Sequence, residues 1–360
     1  MHSLYYRGPA ILLLSTSLVF AADFTTLTFE WSPGFYETLP NRPGLTDFNS
    51  VKSINDNGVI AFGNAFQPIL WNGTDFQQLP FPSGYGAGAI FVNNAGTVAG
   101  ALADITGKTS AAIWDAAGNL SLIPVPVGSR SSFPTGLNSA GTVVGYDLDQ
   151  LSFPHPFLFA NGTRVDLASG SFQNVVPAGI NSAGVVIGNA NATAPSRSIA
   201  VYWAPGSETP TALPCNTGAS HAIGINSSGQ IAGYCITNGF FDTVVWDLNG
   251  NMIDIGHGSP HAINDLGQVI GDTFGGVSPT TTPVSPYIWS ESTGLELLDN
   301  IGPAGASIWV EAINNRGVVV GIEVMTPEPE SLVLSFAGLL LLIGSRYIGC
   351  IADVVENNGA

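Results

Sequence analysis

Basic residues are scarce in this chain: 9 lysines and arginines stand against 26 aspartates and glutamates in 360 residues, a formal net charge of −17. Such a surface repels nucleic acid and anionic headgroups, so a nucleic-acid partner is excluded and solubility outside the cell is favoured. Charged residues of both signs make up only 10% of the chain while hydrophobic ones reach 45%, the opposite of the composition that keeps a chain disordered. Nowhere between the termini does an apolar period of 3.6 persist, which argues against helices. Several chemical signatures are missing too. There is no Gly-x-Ser-x-Gly elbow, no glycine loop ending in Lys, and no Asp-x-Asp-x-Asp-Gly calcium loop. His257 and His261 are four apart, but in turn and strand sequence and not on a zinc-binding helix. Asp147-Leu148-Asp149 alone is too small a group of oxygens to enclose an ion. No metal or cofactor is expected.

Glycine (44) and proline (24) are abundant, and their distribution is ordered. A variant of Ile-Asn-x-x-Gly-x-Val-x-Gly recurs seven times, at Asn55, Asn93, Asn138, Asn181, Asn226, Asn264 and Asn314, at intervals of 38, 45, 43, 45, 38 and 50 residues. A period in this range marks stacked or radial repeats, because one unit is too small to bury its own apolar face. Around Asn226 the unit reads 221–226, 230–234, 243–246 and 252–256, four short runs separated by Asn, Asp, Ser and Gly clusters. That is the pattern of strands joined by tight turns. The asparagines read as turn-makers that bond their own backbone, the glycines three residues on as left-handed positions, and the aromatic residues ending the third strand as filler between sheets. Small residues such as Gly136, Gly179, Gly224 and Ala262 suit an innermost strand. One copy is irregular: Gly58 is followed by Gly63 and not by a glycine four residues on, which points to a bulge in the first unit.

After Asn314 the third and fourth strands are missing. Sequence of that character appears instead at the N-terminus, in 25–31 and 35–39. If those strands complete the last unit, the chain is an all-β, seven-bladed β-propeller of four-stranded blades spanning 22–322, latched by its own ends. A β-solenoid is the alternative; it would need caps and not matched half-units.

The two ends carry address information. Residues 1–21 hold one early cation, Arg7, an apolar stretch from 10 to 20, and a small-residue cleavage site at Val19-Phe20-Ala21, the layout of a secretory signal peptide. Pro327-Glu328-Pro329 in the linker 323–330 precedes an apolar segment, 331–351, with Arg346 as its cation and a tail at 352–360. This end resembles the PEP-CTERM sorting tail of bacterial exported proteins. The resemblance implies transient or lasting membrane attachment and an exosortase-type processing partner; a plain C-terminal anchor is the alternative. The repeats, for example 259–271 and 155–159, resemble the HAF-repeat family of bacterial extracellular proteins. That resemblance implies location and repeat architecture and no activity.

In an exported protein, Cys215 and Cys235, which flank the hairpin at Asn226, are candidates for a disulfide, while Cys350 lies beyond the processing motif. Two functions remain open. One is a non-enzymatic surface or matrix module that contacts extracellular polysaccharide or another surface protein. The other is a propeller hydrolase or lyase acting on polysaccharide, whose site residues would converge on a central channel from different repeats. His221, His261 and Glu311, on first strands just ahead of the repeat asparagines, are its candidates.

Overall fold

Each glycine of the Asn-x-x-Gly turns adopts a left-handed backbone angle, from φ +74° at Gly267 to +86° at Gly229, and each turn connects two antiparallel strands. The computed structural model describes residues 25–40, 51–63, 67–193, 196–207, 209–215, 218–273, 285–298, 301–303 and 306–325. The signal sequence, Pro327, Glu328, Pro329, Arg346 and the apolar segment 331–351 therefore lie outside the described residues. Among the described residues no helix is long and apolar enough to cross a membrane.

The compact unit Thr26–Val324 is all β. Its first complete repeat contains β3 (Val51–Ile54), β4 (Ile60–Gly63), β5 (Pro68–Trp71) and β6 (Phe76–Gln78), hydrogen-bonded in chain order. The same meander recurs in β7 (Gly86–Val92) to β10 (Leu120–Leu122), β11 (Ser131–Leu137) to β14 (Thr163–Asp166), and β15 (Gln173–Ile180) to β18 (Thr211–Ala212). A seven-stranded sheet follows, from β19 (Ser220–Ile225) to β25 (Gly294–Leu297). It holds two repeats because β22 (Met252–Ile263) is shared: 252–257 pairs with β21 (Phe240–Trp246) and 258–263 with β23 (Val269–Thr273). His257 and His261 thus lie on one continuous strand, which passes between the two repeats at Gly256, φ +117°. The last sheet has the order β2-β1-β27-β26, in which β1 (Thr25–Ser32) and β2 (Phe35–Thr38) extend the pair β26 (Ala306–Ile313) and β27 (Val319–Met325).

Hydrophobic burial lies between repeats. Seven apolar clusters each join two neighbours, as when Leu70 and Leu79 pack with Trp114 or Ala232 and Val245 with Tyr287. One of them joins Ala312 and Val320 of the last repeat to Ile60 and Trp71 of the first. First strands likewise touch first strands in a closed cycle, β3 with β7 and onward to β26 with β3. They form the inner wall of the unit. The second repeat glycine lets this packing happen. A Cβ on Gly100 or Gly188 would lie 3.0 Å from the Trp114 or Trp203 ring, and one on Gly233 2.6 Å from Trp246, besides striking the carbonyl of the opposite strand. In the first repeat Phe62 occupies this place, opposite Val51, and its ring packs edge-on against Phe76 at 5.7 Å. The expected bulge is present there but is not peculiar to that repeat: register shifts recur in six first-to-second strand pairs, from Val51/Ser53 to Pro260/Ala262. The irregular Gly63 spacing reflects the Gly-to-Phe exchange instead.

Candidate functional site

Two structures are built from the first strands, one at their ends and one along them. At the ends, each repeat asparagine is buried and uses both the oxygen and the nitrogen of its amide. In the fourth repeat Asn181 Oδ1 accepts from the backbone N–H groups of Ala183 (3.1 Å) and Val185 (2.9 Å), while Nδ2 donates to the carbonyl of Asn226, 3.0 Å away in the next repeat. The same inter-repeat bond links 55 to 93, 93 to 138, 138 to 181, 226 to 264 and 264 to 314. Asn314 Nδ2 then donates to Asn55 O at 3.0 Å, which closes the cycle. Reading the asparagines only as local turn-makers missed this. The signal was present in the sequence, since an Oδ1 spent on the turn leaves a buried Nδ2 that must find an acceptor elsewhere.

The cycle floors a shallow depression of about 220 Å³ whose polar lining includes Asp56, Asn94, Asp265 and Asn315. These four are tied to one another: Asn94 Nδ2 donates to Asp56 Oδ2 at 2.6 Å, and Asn315 Nδ2 donates to both carboxylates at 3.1 and 3.0 Å. Burial works against ionisation of Asp56, but the amide donors and the nearby Arg316 outweigh it and hold its pKa below the usual value. The carboxylates are therefore spent on the mouth's own framework.

Along the first strands the recurring bulge sets one residue apart, three before each asparagine. Around the wall it is Lys52, Ile90, Thr135, Ala178, Ile223 and His261; Glu311 occupies the same place before Asn314. Bulges re-aim side chains and gather near functional sites. All seven are half-buried. The three charged ones fall in three consecutive repeats, the sixth, the seventh and, across the latch, the first. Glu311 lies in the field of both others. Burial pushes the Glu311 carboxyl upward, the charges of His261 and Lys52 partly offset this, and Asp272 reinforces it, with a net rise. Burial alone would push His261 down, but its hydrogen bond to Asp272, Nε2 to Oδ2 at 2.7 Å, and the fields of Asp272 and Glu311 raise it overall. Asp272 is buried, and its Oδ1 has no partner among the described residues.

His221 stands apart from this group. Its Nε2 lies 2.8 Å from Ser198 Oγ, its ring stacks on Tyr234 at 5.2 Å, and burial lowers its pKa. Of the three residues nominated from sequence, His261 and Glu311 come from adjoining repeats and His221 does not join them. Lys52 was missed because a bulge position is defined only by pairing register, and Asp272 because its bond to His261 joins two strands. Elsewhere, Asp147 is buried against Arg164 and Asp149 accepts turn N–H groups. Among the described residues no three His, Cys, Asp or Glu side chains converge as metal ligands. Cys215, after β18, is bonded to Cys235 in β20 (Ile231–Thr237), with Cα atoms 6.0 Å apart.

No protein-family profile matches this chain, and no curated protein matches its sequence. Solved structures do match its fold. A streptogramin B lyase aligns over 84% of this chain and 98% of its own at 14% identity, TM-score 0.54. Virginiamycin B lyase from Staphylococcus aureus aligns over 83% and 99% at 10% identity, also with TM-score 0.54. A puromycin hydrolase aligns over 80% of this chain and 53% of its own at 14% identity, TM-score 0.55. These are β-propeller proteins, so the four-stranded antiparallel sheets described above belong to a propeller-like fold. At such identities the likeness extends to fold alone.

Proposed function

We propose that this chain is a seven-bladed β-propeller, exported from a bacterial cell and carried to the envelope surface or extracellular matrix by its PEP-CTERM-like end. There it acts as a binding module for extracellular polysaccharide, with the inner wall as its binding surface. The observation that carries the binding reading is the uneven bulge position. A purely structural ring has no reason to confine Lys, Glu and His to three consecutive repeats and leave Ile, Thr, Ala and Ile in the other four. The three closed cycles of asparagine bonds, first-strand contacts and seam clusters support seven blades.

Two experiments test this. A glycan-array screen of the purified protein should find a polysaccharide ligand whose binding falls on Glu311→Gln; an array without hits removes the binding reading. Fractionation of cells expressing the chain with and without 326–360 tests the address, and equal envelope association of both forms removes the sorting role. A second reading, a hydrolase or lyase acting on the same polymer, is favoured by one feature, the hydrogen-bonded His261 and Asp272 pair beside Glu311. Appearance of new reducing ends or unsaturated products from a bound polymer would establish it over simple binding.

A further inference from the structure

Trp309 is 40% exposed although it lies on β26, an inner-wall strand. It sits five residues before its asparagine, two before Glu311. That position shares a face with the bulge residue. In the third repeat the residue at minus five, Phe133, packs on Tyr146 at 5.4 Å, and in the fifth His221 stacks on Tyr234. In the sixth the bulge residue His261 bonds Asp272. Tyr146, Tyr234 and Asp272 are equivalent second-strand residues, and each lies directly across the ladder from a minus-five residue, Phe133, His221 and Ser259. Trp309 therefore stands on the same face as Glu311, within the sector that also holds Lys52 and His261.

We infer that Trp309, Glu311, Lys52 and the His261 and Asp272 pair form a subsite for a neutral pyranose unit of a glycan. This rests on the binding reading above. An exposed indole offers a flat apolar platform to the C–H face of a sugar ring. Around it the donors and acceptors alternate in sign: Lys52 donates, Glu311 accepts, and His261 stands against Asp272. One cation against two carboxylates, with a histidine between, leaves no surplus positive charge to attract an acidic sugar. A protein of net charge −17 adds repulsion at longer range. Hydroxyl groups, each both donor and acceptor, satisfy alternating partners without a net charge. Asp272 is buried and serves the sector by holding His261 through its Oδ2.

The test is titration calorimetry of the full chain with two oligosaccharide series, neutral β-linked glucose oligomers and oligogalacturonates, at low and high salt. The neutral series should bind with little salt dependence, Trp309→Ala should weaken it at least tenfold, and Trp309→Phe should restore most of the affinity. Glu311→Gln should weaken it several-fold, with thermal melts of all variants unchanged. Binding of the acidic series only, with steep salt dependence, overturns the neutral subsite and leaves the polysaccharide reading standing. Neutral binding indifferent to Trp309→Ala overturns the subsite's location. Absence of binding in both series overturns the neutral subsite, and with an array without hits it removes the binding reading as well.

Discussion

The asparagine cycle and the bulge row lie three residues apart on the same strands, yet one is the same seven times and the other differs at nearly every repeat. At the cycle every repeat needs the same thing: an acceptor for two turn N–H groups and a donor to the next repeat. Only Asn supplies both in that volume. At the bulge the residue is skipped by the pairing register and stays half-buried, and residue types from Ala178 to Lys52 are accommodated there. Uniformity therefore marks what holds the repeats together, and variation leaves the bulge row free for the binding role proposed above.

The largest effect should come from opening the latch. Deleting 25–38 removes β1 and β2, exposes the edge of β27 and strips buried Phe29 from its seam with Ile270 and Val319. Loss of a cooperative thermal transition by circular dichroism is expected; a normal transition would show that the ring does not depend on closure. Next, Asn181→Ala should cost about 3 kcal/mol in urea unfolding, since it orphans buried N–H groups of the turn and the Asn226 carbonyl. Asn181→Asp should be no better, because it sets a buried charge against that carbonyl. Thr135→Ala, on the bulge row, should stay within about 1 kcal/mol. Equal costs at the two rows would break the contrast between them.

Replacing Cys215 and Cys235 together by serine should cost about 3 kcal/mol for a loop of this size, with a residue separation of 20. Free thiols in non-reduced peptide maps would remove the bond. Gly233→Ala should cost about 2 kcal/mol by forcing Trp246 and the opposite strand apart. The reverse exchange in the first repeat, Phe62→Gly, should also destabilise, because there the buried ring fills the space. The smallest effect concerns pH. His261 has its pKa raised in the folded protein, so its contribution is fully present below the unfolded histidine value of about 6.5 and is lost as pH rises through the folded value. Urea titrations of wild type and His261→Gln should therefore converge toward the alkaline side of the histidine range. A gap that widens there would reverse the assigned sign.

Much of the fold was legible in the chain. The Asn-x-x-Gly turns, the four strands per repeat, and the aromatic residues at seams such as Trp114 and Trp203 all follow from local turn chemistry and alternation. The site was only half legible. His261 and Glu311 stand out as polar residues on first strands, but His221 looks equivalent in sequence and proves to be held by Ser198 and Tyr234. Lys52 lies far from Glu311 in the chain, and nothing local marks Trp309 as exposed on an inner strand.

By itself the sequence determined the repeat, its turns and the composition of its strands, because these depend on backbone angles and alternation within a few residues. Only the tertiary structure decided that Asn314 bonds Asn55, that a bulge sets one first-strand residue apart in repeat after repeat, and that Lys52 and His261 both act on Glu311. Those facts depend on register and closure, which bring together groups that no local rule connects.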